Sequence, residues 1–293
     1  MGAPNRWARM AWAGFTHGLR TLPGVPREGI KRIVLPVSYW RTPEFSYVWR
    51  RLPPEIGAGH RVFDLGSPKQ LAFMIADASG AHVVASDILP DPIATVRRVA
   101  ERRITRRGSV EARVSDGRAL EFEDASFDAV FSVSVLEHIP DDGDSAAIRE
   151  LIRVTRPGGT IIVTVPYDRN YRETFVDRDV YERARGDSAE VFFERHYDEE
   201  SLRLRLIDMP GVELVDIEIW GEGRVRMARA LRSIGRLDLL AAPFEPVLSR
   251  LFLHRIEGNG AYPTPDAAFF TLRRTADGGA LTGPTTTGSS AAR

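Results

Sequence analysis

The sequence predicts an α/β protein: a doubly wound, mostly parallel sheet with a helical N-terminal cap and a C-terminal helical insertion. Two observations lead there. Val62-Phe63-Asp64-Leu65-Gly66-Ser67-Pro68-Lys69-Gln70-Leu71 reads as a strand that ends on an acidic residue, a glycine turn and the opening of a helix. From residue 61 to 165, short β-branched runs alternate with amphipathic segments. That spacing belongs to strand–helix–strand units, which pack as a parallel sheet with helices on both faces.

Residues 1–58 read as a cap of short helices broken at Pro23, Pro26, Pro36, Pro43 and Pro53-Pro54. The main domain is expected over 59–275. Its first strand is 61–65, followed by a helix over 68–79 with Pro68 in the first turn and Ser67 as N-cap. A second strand over 82–86 ends at Asp87, a helix spans 92–107, and strands follow over 110–114 and 127–133. A helix over 145–154 and the turn Arg156-Pro157-Gly158-Gly159 lead to a fifth strand over 160–165. The rhythm then breaks. Residues 167–200, polar and rich in aromatics, read as a substrate-side insertion. A strand over 212–220 has Leu214, Ile217 and Ile219 as core positions, 224–256 reads as an inserted helical pair, and 267–273 is the last strand. Residues 276–293, made of Gly, Thr, Ser, Ala and Pro, read as a disordered tail.

Composition excludes several chemistries. Without cysteine there is no disulfide, thiolate nucleophile, cysteine-ligated zinc or iron–sulfur cluster. The six histidines are scattered, so no metal site is expected, and the two lysines, Lys31 and Lys69, leave little for a Schiff-base mechanism. Basic and acidic residues balance at 40 each, so no overall field draws the chain to nucleic acid, which is not expected as a partner. No window reaches transmembrane length. The expected location is cytoplasmic, peripheral at the inner face of the membrane if the basic amphipathic stretch 224–236 meets lipid rather than a cap or a second subunit.

In an open parallel sheet a nucleotide-containing ligand binds outside the carboxyl ends of the strands, near the first strand–helix turn. Gly66 lets the backbone approach it there, and the following helix offers its N-terminal N–H groups. Asp87 ends the second strand, where a carboxylate can accept both hydroxyls of a ribose. That geometry serves NAD and S-adenosylmethionine alike. Discrimination comes from Ser115-Asp116-Gly117-Arg118, from Phe127-Asp128-Ala129-Val130-Phe131-Ser132-Val133-Ser134-Val135-Leu136-Glu137-His138 and from Arg156-Pro157-Gly158-Gly159.

Taken in order, these segments over residues 60–166 resemble the class I S-adenosylmethionine-dependent methyltransferases, specifically the small-molecule branch known as type 11. The resemblance implies a seven-stranded Rossmann-like fold and S-adenosylmethionine as cofactor. It implies that Asp64 helps hold the methionyl amino group, that Gly66 and Ser67 form the cofactor loop, that Asp87 takes the ribose and that Asp116, with Gly117, takes the adenine amine. Ile88 would flank the adenine ring, and Ser132 and Val133 would give backbone contacts. One departure stands out: the family's glycine-x-glycine is here Gly66-Ser67-Pro68, and proline has no N–H to donate.

The expected activity is methyl transfer to a small-molecule, glycan or lipid-linked acceptor, with oxygen favoured. The alternative is a catalytically silent, methyltransferase-like binding protein, motivated by Pro68. His138, just beyond the fourth strand, is the candidate base, or else a residue that orients its loop. Tyr167, His196 and Tyr197 are candidate acceptor contacts, or else a packed lid. Oligomeric state is not legible in the sequence.

Overall fold

The computed structural model describes residues 4–102, 104–176, 190–233, 241–257 and 264–276. The expected tail beyond 276, residues 177–189 of the insertion and residues 234–240 of the helical pair lie outside the described residues.

Alternation at period two builds the core. Along β1 (Arg61–Leu65), β4 (Phe127–Val133) and β5 (Thr155–Pro166), Val62, Phe131 and Ile162 enter one apolar cluster. Phe63, Val130 and Ile161 enter the other, on the opposite face. With β2 (His82–Asp87), β3 (Ser109–Val114), β8 (Val212–Glu222), β9 (Leu253–Ile256) and β10 (Thr264–Arg274), they form a sheet ordered β3-β2-β1-β4-β5-β10-β8-β9. β1 to β5 pair in parallel, while β10 runs antiparallel to both β5 and β8. The sheet has eight strands rather than seven because the apolar run after residue 247 leaves its helix at Phe252 and pairs Leu253–Ile256 with the edge of β8.

Helices cover both faces. α4 (Gln70–Ser79) and α5 (Pro90–Glu101) follow β1 and β2, and α6 (Gly143–Val154) precedes β5. α5 ends six residues before its expected end. Arg106 and Arg107, expected within that helix, instead fasten the next turn to α4: the Arg106 N–H donates to Asp77 at 2.6 Å and the Arg107 guanidinium to the Ala78 carbonyl.

The cap is α1 (Pro4–Thr21), α2 (Pro26–Val34) and α3 (Arg41–Arg51). Pro43 does not break a helix; it lies in the first turn of α3, where a missing N–H costs nothing. α3 is bound to the sheet by a two-pronged Arg50–Glu218 pair at 3.0 Å and by the Tyr47 hydroxyl, which meets Asp216 and Thr271. The insertion holds a separate hairpin, β6 (Arg172–Val176) with β7 (Val191–His196), followed by α7 (Glu199–Leu202). Past β8 come α8 (Met227–Ser233) and α9 (Glu245–Phe252).

Candidate active site

The turn after β1 is built from its own side chains. The Ser67 N–H donates to Asp64 Oδ1 at 3.1 Å, and the Gly66 N–H to the Ser86 carbonyl at 3.0 Å. Gly66 holds φ at +68°, and a Cβ there would stand 2.7 Å from the Val135 side chain, so both conformation and space require glycine. Ser67 does not cap α4 as expected. Its hydroxyl accepts the Val133 N–H at 3.0 Å and so fastens the turn to β4. The Ser132 hydroxyl makes a second such tie, donating to the Leu65 carbonyl.

Outside the carboxyl ends of β1, β2 and β4 lies a cleft of about 580 Å³, a size suited to a ligand of cofactor dimensions. Gly66, Asp87, Ile88, Asp116, Gly117 and His138, all expected from sequence, line it. Leu65, Leu89, Arg118, Ser134, Val135, Ile139 and Pro140 complete the wall. Asp64, Ser67, Ser132 and Val133 are buried directly behind it. Tyr167, His196 and Tyr197 are not among the lining residues.

The electrostatics of the cleft contain two cations that sequence reasoning did not assign to it. Lys69 places its ammonium 2.8 Å from Asp87 Oδ2 and donates to the Ser86 carbonyl at 2.8 Å, while Asp87 Oδ1 accepts the Leu89 N–H. Arg118 folds back on Asp116 through Nε and Nη2, at 3.0 and 2.7 Å, and holds that carboxyl below the usual carboxylate range. Asp64 is fully buried. Burial pushes its carboxyl up to about 6 against the opposing pull of Lys69 and Ser67, and its Oδ2 has no hydrogen-bond partner.

On the far wall Ser134 adopts φ +52°, uncommon for a residue with a side chain. It is held there by its N–H on the Thr164 carbonyl and its hydroxyl on Glu44 Oε1 at 2.6 Å. Glu44 comes from α3, so the cap helix shapes the cleft. The short helix Leu136–His138 follows. His138 Nδ1 lies 2.8 Å from the Phe193 carbonyl of β7. A carbonyl can only accept, so Nδ1 carries a proton; Nε2, which lies 3.8 Å from Glu137 Oε1, is the acceptor nitrogen whenever the ring is neutral. Glu137 is buried, and burial pushes its carboxyl well above the usual range.

The β6–β7 hairpin reaches the cleft mouth through Arg195. This buried guanidinium donates to the carbonyls of Ile139 and Asp141 and pairs with buried Asp144 at 3.0 Å. The Tyr197 hydroxyl donates to the same carboxylate at 2.8 Å, so Tyr197 is a core residue of this network rather than an acceptor contact. His196 lies between Arg172 and Glu194 within the hairpin. Tyr167 bridges to Tyr197 at the hairpin's base.

A family model described as a methyltransferase domain matches residues 63–163, the segment that builds this cleft. Residues 63–163 belong to the class I S-adenosylmethionine-dependent methyltransferases. Members of that family use S-adenosylmethionine as methyl donor. The match extends to demethylmenaquinone methyltransferases of Clavibacter sepedonicus, 35% identical over 107 residues, and Thermus thermophilus, 37% identical over 120 residues. These alignments cover 36% and 39% of this chain and 41% and 52% of the relatives. An uncharacterized protein of Mycobacterium tuberculosis is 35% identical over 36% of this chain and 37% of its own length. The chain thus matches about half or less of the relatives' length. In fold, the chain resembles an S-adenosylmethionine-dependent methyltransferase from Methanosarcina mazei, with TM-score 0.51 and 16% identity over 78% of this chain and 96% of that one. It also resembles the MccD protein, with TM-score 0.55 and 13% identity over 82% and 99%.

The residues fit the cofactor. Each carboxylate offers about four acceptor sites, so Asp87 and Asp116 can take a ribose and an amine beside Lys69 and Arg118. The orphan oxygen of Asp64 suits an ammonium or a bridging water.

Proposed function

We propose that the protein transfers the methyl group of S-adenosylmethionine to a small-molecule, glycan or lipid-linked acceptor, at oxygen. The observation that carries this reading is one cleft uniting Gly66, Asp87 and Asp116 with His138 in a fixed tautomer. Asp87 would hold the ribose hydroxyls, Asp116 the adenine amine, and Asp64 the methionyl amino group from behind Gly66. Ile88, exposed at the cleft's lip, would flank the adenine. When bound, the cofactor supplies a methyl already activated on a sulfonium.

The chain's own work is alignment and proton removal. Close approach of acceptor and methyl replaces a bimolecular encounter. A hydroxyl must also lose its proton, and His138 Nε2 at the cleft wall is the base. Relatives named for demethylmenaquinone and phosphoethanolamine support a small acceptor. Incubation with methyl-labelled cofactor and fractionated small-molecule and lipid extracts tests the reading: label is expected on a hydroxyl-bearing product. Label found only on nitrogen or carbon contradicts the oxygen assignment. In His138→Gln, turnover should fall about 10²–10⁴-fold with cofactor affinity unchanged.

The second reading, a binding protein without turnover, is favoured by Pro68 and by the closed Lys69–Asp87 pair. It predicts cofactor binding with no labelled product from any fraction.

A further inference from the structure

The balanced total of 40 basic and 40 acidic residues conceals a segregation. Residues 4–34, the α1–α2 hairpin, carry six basic residues against one acidic, and residues 224–256 carry seven against two. The rest of the chain is left with 27 basic and 37 acidic residues. These two distant segments meet in the fold. α1 packs against α9, α2 against the turn Ala242–Phe244 that leads into α9, and the Tyr39 N–H donates to Glu245 at 2.6 Å.

The same elements expose large apolar side chains. Phe244 at the end of that turn and Val247 and Leu251 on α9 fall at i, i+3 and i+7, and each is more than half exposed. Trp12 on α1, 65% exposed, and Ile30 on α2, 55% exposed, add to them. Arg27 and Lys31 on α2 and Arg250 on α9 are exposed on the same helices, and none forms an ion pair among the described residues.

We propose that this basic, apolar region of α1, α2 and α9 docks on the surface of an anionic lipid bilayer. Exposed aromatic and aliphatic groups bury in the headgroup–acyl boundary while neighbouring Arg and Lys meet anionic headgroups. A nucleic acid would satisfy the charges but not the apolar side chains. A deformable lipid surface accepts both features at once. No described helix is long and apolar enough to cross a membrane, so the contact is interfacial. The inference does not rest on methyl transfer.

Sedimentation of the full chain with phosphatidylcholine vesicles, with and without phosphatidylglycerol, tests it. Binding is expected only with phosphatidylglycerol and should weaken as salt is raised. Arg27→Glu with Lys31→Glu should reduce it by roughly tenfold or more, given about 1 kcal/mol per basic residue at such a surface. Phe244→Ser with Leu251→Ser should reduce it as well. All four residues are exposed, so circular dichroism and Tm should match the wild type and report any misfolding. Equal sedimentation with the two vesicle types overturns the proposal, as does anionic binding that neither pair reduces. Retention on heparin without vesicle binding overturns the lipid assignment in favour of a polyanion.

Discussion

At Asp64 burial and charge meet in one carboxylate. Its first oxygen closes the turn on Ser67, its second has no partner, and burial outweighs Lys69 and Ser67 to push it up to about 6. In the unliganded protein the carboxyl therefore takes up a proton as pH falls through about 6, whereas a cationic amino group beside it favours the ionised form. Affinity for S-adenosylhomocysteine should be flat above neutrality and decline below about pH 6, toward tenfold per unit. Asp64→Asn should lower the affinity and abolish that decline. Lys69→Met, by removing the opposing cation, should move the decline to higher pH. A decline that persists in Asp64→Asn would assign it to another group. Asp64, Gly66 and Asp87 were legible in the sequence because strand, turn and helix are consecutive and turn chemistry is local. Lys69 was not: it sits 18 residues before Asp87, and only the parallel pairing of β1 with β2 brings their side chains together.

Among the elements, α3 and β8 are tied together through a single buried carboxylate. Glu218 of β8 is buried beneath two-pronged Arg50, with Arg51, Arg255 and the Trp220 indole also on it. Burial alone would raise its carboxyl, but these donors override it and hold the group below the usual range. A depressed carboxyl contributes stability that is present at neutral pH and lost as pH falls through its folded value. Glu218→Gln removes the anion shared by three guanidinium groups, of which Arg51 keeps Asp216, and should cost about 1.5–3 kcal/mol in urea unfolding at neutral pH. That cost should shrink in acid, where the wild-type carboxyl is also neutral; a loss independent of pH would place its origin in packing. Elements whose cause is local were readable in advance, as β4 and the Asp87 strand end illustrate. Features set by partners far along the chain were not. Ser134 is held in its left-handed conformation by Glu44, 90 residues earlier, and α5 gives way to a turn fastened by Asp77, 29 residues before Arg106. Tyr197, read from its aromatic neighbourhood as an acceptor contact, is drawn inward by an aspartate 53 residues away.

At the scale of the molecule, three separate parts of the chain converge on one cleft. The sheet supplies the floor and the carboxylates, α3 fixes the far wall through Glu44, and the β6–β7 hairpin sets the mouth through Arg195 and the tautomer of His138 through Phe193. Pro68 removes one backbone donor from the turn, and Ser67 and Lys69 are already paired within the protein, so the Asp64 oxygen without a partner is the group left there to receive a ligand. The central claim is that this cleft grips S-adenosylmethionine by its ribose at Asp87. Isothermal calorimetry with S-adenosylhomocysteine on the wild type and on Asp87→Ala tests it most directly. The account predicts saturable binding that Asp87→Ala weakens by about 1–3 kcal/mol, the range for a charged hydrogen bond. No heat of binding at millimolar ligand, or an affinity that Asp87→Ala leaves unchanged, would contradict it.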